Sequence, residues 1–283
     1  MTAVSERPAV RVRPKRRTFP RLRRLGLQIA VLVVALVAWE VVTQAVDEPY
    51  FPPPSVFGPQ MHELWFSGPP SHLFLTEDAL HSFLPSLAKL AGGWIIAALA
   101  GVIIGLALGR FRVLSEYVDP VLQLGRAVPP TTLIPFFIVV FKLGTTLEVT
   151  TIAFGVIWVV LLNTIDGAAS VDKLQLDTAR VFGLSPAQRL FRLILPAAAP
   201  KIFAGLRLSV SIALILMVIA ELMGGGEGIG EDLVNAQRTF QLPAMWGSIV
   251  ILGVLGYLLN AIFLVVERRS LRWYRGSRQN EPL

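Results

Sequence analysis

A charged, interrupted segment stands between two long apolar stretches, with the sequence DTARVFGLSPAQRLFRLILP from Asp177 to Pro196. Its arginines, Arg180, Arg189 and Arg192, lie among apolar residues. Charged side chains in such a setting can contact a partner protein or the surface of a membrane. The local structure of the segment has to be considered before choosing between these two.

The glycine, serine and proline residues of this segment predict two short helices joined by a turn. Gly183 is a suitable residue to end the first helix, and Ser185 before Pro186 is a suitable N-cap for the second. The second helix, predicted to end at Pro196, has an apolar stripe of Leu190, Leu193 and Ile194, with Arg189 and Arg192 on other faces. Spacing alone supports equally a helix lying on a membrane and a docking element for a cytoplasmic partner.

Motifs for catalysis or cofactor binding are missing from the sequence. It has no G-x-x-x-x-G-K-[ST] loop, no H-E-x-x-H or G-x-S-x-G motif, and no cysteine. The glycine-rich stretch from Gly224 to Gly230 follows an apolar helix instead of a strand, so we interpret it as a flexible outer turn. His62, His72 and His81 are irregularly spaced and are expected to be surface residues. We therefore expect a non-catalytic protein without a cofactor.

Composition points to a membrane protein. Hydrophobic residues make up 54% of the chain and charged residues 16%, against about 25% charged residues in soluble domains. The mean hydropathy is +0.62. The net charge of +7 comes from basic residues bunched at the chain ends and in a few loops, which is the topology signal of a membrane protein and not a nucleic-acid-binding patch.

Six stretches approach the roughly 20 apolar residues that a membrane span needs. They cover about 25–46, 84–108, 122–141, 149–165, 202–223 and 245–266. The first is too long for a signal-peptide core, so we expect it to be retained. The third is the weakest, because Arg126, Pro129, Pro130 and Pro135 interrupt it.

The distribution of lysine and arginine predicts the orientation of these spans. Basic residues cluster at Arg7–Arg24, Arg110–Arg112, 172–207 and Arg268–Arg278, whereas 47–88 has none and Lys142 is the one mild exception. Both termini and the segment 177–196 are therefore predicted to be cytoplasmic in a multi-pass protein of the cell membrane. The domains expected are a disordered basic tail over 1–24, a transmembrane domain over 25–273 and a C-terminal tail over 274–283.

The interrupted segment resembles the signature of permease subunits of binding-protein-dependent ABC importers, E-A-A, three residues, G, nine residues, I-x-L-P. Asp177, Thr178 and Ala179 stand at E-A-A, Gly183 follows at the required spacing, and the pattern closes with Leu193, Leu195 and Pro196. Aspartate for glutamate, threonine for the first alanine and leucine for isoleucine are the three departures. The position of the segment before the last two of six spans strengthens the resemblance.

Other stretches are similar to one branch of that family, the nitrate, sulfonate, taurine and bicarbonate importers. They are FPPPSVFGP, GVIIGLALGR, DPVLQLGRAVPPTTLIPFF, NTIDG and the terminal ERR…W of Glu267, Arg268, Arg269 and Trp273. The resemblance covers about Trp39 to Trp273. The basic N-terminal tail lies outside it.

The resemblance implies an all-α membrane protein of six transmembrane helices, like a type I ABC importer permease, with a cytoplasmic coupling helix between helices 4 and 5. It implies two copies of this chain, two ATPase subunits and an extracytoplasmic solute-binding protein, with a small anion as solute. The implied coupling residues are Asp177, Thr178, Ala179, Arg180, Gly183, Leu193, Leu195 and Pro196. Asp177 and Arg180 are expected at the rim of the ATPase contact, and Leu193 and Leu195 to anchor the segment against the permease.

Polar residues at membrane depth are candidates for the solute pathway. They are Arg126, Asn163, Thr164, Asp166, Ser209, Ser211 and Glu221. Ser209 and Ser211 can instead bond their own helix backbone, and Glu221, at the outer end of its span, can belong to an interface or a gate. An ion-coupled secondary transporter or a channel is the alternative function, disfavoured because mid-span ionisable residues are few.

Overall fold

The computed structural model describes residues 21–46 and 48–274, in which every regular element is helical. The helices are α1 (Arg21–Val46), α2 (Pro54–Phe66), α3 (Glu77–Arg110), α4 (Arg112–Ala127), α5 (Ile134–Phe141), α6 (Thr145–Ala169), α7 (Lys173–Val181), α8 (Pro186–Arg189), α9 (Leu195–Gly224), α10 (Ile229–Arg238) and α11 (Leu242–Ser270). A π-helical turn, Leu190–Ile194, joins α8 to α9. The predicted all-α class is confirmed.

Five helical runs are long and apolar enough to cross a membrane. They are Gly26–Val46, Pro70–Arg110, Thr145–Ala169, Pro186–Gly224 and Leu242–Ser270. A sixth is counted if α4 and α5, which are bent by 81° to one another, together form one broken span. The described part of the chain therefore has five or six candidate spans.

The third predicted span is not the single apolar helix expected over 122–141. Its first half belongs to the amphipathic helix α4, which begins at Arg112, and its second half is the eight-residue helix α5. Between them Pro129 is extended (φ −62°, ψ 127°) and Pro130 opens a 3-10 turn. Two successive prolines without N–H groups prevent the helical ladder from continuing, and this causes the break.

The predicted basic tail over 1–24 overlaps the first helix. Helix α1 begins at Arg21, so residues 21–24 are helical. Residues 1–20 lie outside the described residues, as do 275–283, on which most of the predicted C-terminal tail falls. The described residues up to Ser55 belong to one compact unit, and those from Val56 onward belong to another.

Helix α6 packs between α3 and α9 and forms the centre of the second unit. Ile152, Val156 and Val160 of α6 are fully buried. Glycines on α3 allow the two backbones to approach closely, as small residues commonly do between membrane helices. A Cβ atom at Gly101 would lie 3.0 Å from the Val160 Cβ, and one at Gly105 would lie 2.6 Å from the Thr164 Cβ.

Replacing Gly105 with alanine is expected to destabilise the protein by about 1–3 kcal/mol, because the new methyl group overpacks the contact with α6. The measurement is thermal unfolding of the purified protein in one detergent. Gly253→Ala is the matched control, since Gly253 is also helical and a Cβ atom added there would meet nothing within 4 Å. That control should lose no stability, because alanine is the better helix former. Equal stability of the two variants would contradict the close approach of α3 and α6.

Candidate functional site

Three ionisable side chains from three helices meet in the interior of the second unit. The Lys89 Nζ of α3 lies 2.6 Å from Glu148 Oε2 of α6 and 3.3 Å from Glu221 Oε1 of α9. Lys89 is 5% exposed, and Glu148 and Glu221 are fully buried. Ionisable groups at such a depth require partners, and each of these acids has one in Lys89. We call Lys89, Glu148 and Glu221 the ion cluster.

The ion cluster also binds the backbone that connects α9 to α10. Lys89 Nζ donates to the Glu227 carbonyl (2.5 Å), and the Gly230 N–H donates to Glu221 Oε2 (2.9 Å). Ser86 Oγ donates to Glu221 Oε1 (2.7 Å) and accepts from the Ile229 N–H (3.0 Å). Helix α10 has glycine at its N-cap and no side-chain cap of its own. The N–H groups of Ile229 and Gly230, at its first two positions, are thus satisfied by side chains of α3 and α9.

The glycines of this connection leave the space that the carboxylates occupy. A Cβ at Gly228, where φ is +158°, would lie 2.4 Å from the Glu221 carboxyl carbon, and one at Gly224 would lie 2.7 Å from Glu148 Oε1. The sequence interpretation of a flexible outer turn therefore missed two features. The turn packs on the ion cluster, and residues Ile229–Arg238 after it form α10.

Sequence reasoning found one member of the ion cluster, Glu221, and missed the other two. A signal was present, because Lys89 is a lysine inside an apolar helix and ionisable residues at membrane depth are functional candidates by default. Glu148 falls just before the predicted span over 149–165, although it lies in the first turn of α6. Their meeting is a long-range contact, with Lys89 and Glu221 separated by 132 positions.

Lys89→Met is expected to destabilise the protein by about 3–5 kcal/mol, because it leaves two buried carboxyl groups without their cation. Thermal unfolding in detergent measures this loss. Arg180→Gln is the control, since the ion pair of Arg180 and Asp177 is 54% and 62% exposed and such pairs contribute at most about 1 kcal/mol. Adding Glu148→Gln and Glu221→Gln to Lys89→Met should recover part of the stability. A loss in Lys89→Met no larger than in Arg180→Gln would refute the role of the ion cluster.

A cavity of about 760 Å³ lies on the other side of this turn, lined by residues of α2, α3, α10 and α11. It is acidic, with Asp78, Glu231 and Asp232 in its wall. Burial raises the pKa of Asp232; the hydrogen bond with Ser82 opposes the rise, and the carboxylates of Asp78 and Glu231 add to it. Negative charge lowers the local concentration of anions, so this cavity is unsuited to an anionic solute.

The histidines do not form a metal site with their neighbours. Across residues 21–46 and 48–274, no group of three or more histidine, aspartate or glutamate side chains is arranged to hold a metal ion. His62 and His81 are exposed, and His72 is half-buried.

The interrupted segment forms the turn that its residues predict. Gly183 has φ +70° and donates its N–H to the Arg180 carbonyl (2.9 Å), while the Leu184 N–H reaches the Ala179 carbonyl (3.0 Å). This pair of bonds is a Schellman motif, for which glycine is the preferred residue because its left-handed conformation is unstrained. Ser185 caps α8 and forms a capping box with Gln188, which confirms the predicted N-cap.

The end of α7 holds four of the eight predicted coupling residues, and Gly183 follows in the turn after it. Asp177 pairs with Arg180 at 2.8 Å, Thr178 bonds the Leu174 carbonyl, and Ala179 is buried. Large apolar side chains are exposed beside them: Leu174 (72%), Val181 (86%) and Phe182 (78%). A protein surface with aromatic and aliphatic side chains this exposed is typical of an interaction site.

The other predicted coupling residues, Leu193, Leu195 and Pro196, are half-buried, and one prediction about this part of the segment is wrong. Leu193 packs beside Ile194 against Ala168, near the end of α6, and Val171, just after that helix. The helix does not end at Pro196, because α8 continues through the π-helical turn into α9, which begins at Leu195. Pro196 has no N–H to donate, and it lies just after the π-helical turn, where the α-helical hydrogen-bond ladder is already interrupted.

The structure does not bring the predicted pathway residues together. Arg126 and Asp166 are exposed, while Asn163 and Thr164 bond the carbonyls of Val159 and Val160 in their own helix. The two predicted serines on α9 have different hydrogen-bond partners. Ser209 bonds its own helix at Leu206 and accepts from Trp94 Nε1 (2.8 Å), whereas Ser211 exchanges hydrogen bonds with Asn260 of α11. Glu221 belongs to the ion cluster.

Comparison with known proteins identifies the family. Residues 97–275 match the family Binding-protein-dependent transport system inner membrane component. The match covers more than half of the chain, and the chain belongs to this family of ABC importer permeases, whose members are non-catalytic membrane subunits.

Relatives with curated names point to one branch of it. SsuC of Bacillus subtilis (strain 168), a permease protein named for aliphatic sulfonates transport, is 31% identical over 94% of this chain and 92% of its own length. The taurine transport system permease protein TauC of Escherichia coli (strain K12) is 27% identical over 90% and 92%. The nitrate import permease protein NrtB of Leptolyngbya laminosa is 30% identical over 65% and 66%.

Among solved structures, a chain of the inward-facing MetNI methionine ABC transporter has a similar fold. The TM-score is 0.60 at 16% sequence identity, and the match covers 69% of this chain and 99% of that chain. The likeness shows the fold alone.

Proposed function

We propose that this chain forms the membrane path for a small anion, such as a sulfonate or nitrate, and couples its movement to ATP hydrolysis by a separate subunit. The similarity to permeases named for sulfonates, taurine and nitrate supports the solute class. The observation that carries the coupling role is the exposed end of α7. There Asp177 and Gly183, at signature positions, stand beside Arg180 and the exposed side chains of Val181 and Phe182.

In this proposal each of two copies of the chain docks one ATPase subunit through α7 and the turn at Gly183. Phe182 and Val181 enter an apolar groove on the ATPase, and Asp177 and Arg180 contact its rim. When the ATPase subunits close on ATP, they displace α7, and the two membrane halves rock to switch access across the bilayer. A solute-binding protein on the other side delivers the anion.

Uptake into reconstituted vesicles tests the proposal as a whole. Uptake of taurine or nitrate should require the ATPase, the solute-binding protein and ATP on the same side as the ATPase, and it should persist when an ionophore removes ion gradients. Uptake by the chain alone, driven by an ion gradient, would instead establish the alternative of a secondary transporter or channel. The family comparisons do not favour that alternative.

The proposed topology has six spans with both termini in the cytoplasm, with α4 and α5 together as the third span. We predict that a membrane-impermeant maleimide applied from outside labels Ser71→Cys and does not label Ala187→Cys. Both residues are exposed, and the natural chain has no cysteine to interfere. Ala187 is chosen because its replacement leaves the capping box of Ser185 and Gln188 intact. Labelling of position 187 from outside would contradict the proposed cytoplasmic location of this segment.

Phe182→Ala is expected to weaken co-purification of the ATPase by about tenfold or more, because an aromatic anchor in an interface contributes on the order of 2 kcal/mol. Asp177→Arg should also weaken it, by reversing the charge at the rim. Phe240→Ala is the matched control, since Phe240 is 73% exposed and lies between α10 and α11. Undiminished recovery of the ATPase with both α7 variants would mean that docking occurs elsewhere.

A further inference from the structure

A second, mostly apolar cavity lies at the end of the membrane helices nearest the coupling residues. Its volume is about 630 Å³, and it lies between the C-terminal end of α3 and the segment in which α8 passes into α9. Its apolar wall includes Ile103 and Leu106 of α3 together with Leu190 and Phe191 of the π-helical turn. Phe191 is 66% exposed. Nothing in the proposed transport cycle uses this cavity.

Two arginines, Arg110 and Arg189, complete the lining. Neither forms an ion pair with any residue in the described ranges 21–46 and 48–274. The Nε atom of Arg189 is buried and has no hydrogen-bond partner there. A buried donor without a partner is costly, so this N–H indicates a missing acceptor. Guanidinium groups bind phosphate oxygens with matched, charge-assisted geometry.

We propose that this cavity binds an anionic phospholipid, with its phosphate on Arg110 and Arg189 and an acyl chain along the apolar wall. One ligand with a negative head and an apolar tail satisfies both halves of the lining. The depth also fits, because one candidate span ends at Arg110 and Arg189 lines the same cavity. Basic pockets between membrane helices at this boundary are where anionic head groups bind. The assignment to the inner leaflet rests on the proposed topology.

The site touches the transition between the coupling segment and the membrane. Leu190, Phe191 and Ile194 of its wall all belong to the π-helical turn. Single π turns inside α-helices recur at functional sites. A bound lipid therefore links the end of α3 to the start of α9, next to the turn at Gly183, and its loss would loosen that link.

Lipid retention by the purified, delipidated full-length chain in detergent tests the proposal. Phosphatidylglycerol is added, and the bound fraction is measured by native mass spectrometry, with phosphatidylcholine as the zwitterionic comparison. Wild type should retain phosphatidylglycerol in preference, and Arg110→Gln with Arg189→Gln should weaken that binding by about tenfold or more, through loss of two charge-assisted contacts. Arg268→Gln with Arg269→Gln removes the same charge from an exposed helix end and should leave retention unchanged.

A second variant tests the apolar half of the site. Ala107→Trp fills the cavity while keeping both arginines, and it should displace the lipid without lowering the melting temperature measured in lipid-free detergent. Retention of phosphatidylglycerol by this variant, or equal losses in the two arginine pairs, would overturn the proposal. Full competition by inorganic phosphate would overturn it as well, because the acyl chain would then contribute nothing.

Two further outcomes are informative. If Ala107→Trp lowers the dimer fraction and leaves lipid retention unchanged, the cavity holds a second copy of the chain and the lipid proposal is wrong. None of these measurements uses ATP, a partner or a transported solute, so failure of the lipid site and failure of the proposed function are distinguishable.

Discussion

The ammonium group of Lys89 connects α3, α6 and α9, which are distant in sequence, and the turn that follows α9. It contacts one carboxyl group on α6, another on α9, and the backbone carbonyl of Glu227 in the turn that follows α9. A buried charge must be paired where it lies, and removing one partner leaves the others unsatisfied. The positions of the turn, of α10 and of the acidic cavity beside them all follow from this pairing.

Close helix packing makes the pairing possible. Lys89 and Gly93 are four residues apart on α3, and Glu148 and Ile152 are four apart on α6, so each pair lies on one helix face. A Cβ at Gly93 would be 2.7 Å from the Cβ of Ile152. The backbones therefore touch one turn away from the ions, which shortens the gap that the lysine and glutamate side chains have to cross. Charge pairing and small-residue packing act on the same face.

Local patterns were sufficient to predict the parts of the fold that depend on neighbouring residues. The lengths of the apolar stretches predict five of the long helical runs. Gly183 and Ser185 predict a turn in which each hydrogen bond joins residues only a few positions apart in the sequence. The hydropathy pattern does not predict the structure at two places. At the third span, two prolines break the helix that the apolar residues predict. At α10, residues of other helices cap the helix, and their contribution is not visible in the local sequence.

The candidate site was less predictable from the sequence than the fold. Glu221 attracted notice as a carboxyl group in an apolar span, but its partner lies 132 positions away and only the packing of α3 against α9 brings the two together. The free N–H of Arg189 is likewise a property of the folded chain. Signature spacing predicts the exposed residues of the proposed coupling segment because they lie within one short stretch of the sequence.

The continuation of α8 into α9 makes one helical run of 39 residues, from Pro186 to Gly224. At 1.5 Å per residue, such a run is about 58 Å long. A rod of that length that tilts by about 5° about one end moves its other end by about 5 Å. Glu221, near the far end, is therefore mechanically connected to the turn at Gly183. A small rotation imposed at the Pro186 end of this run is thus large enough, at the Gly224 end, to separate a carboxylate from its ammonium partner.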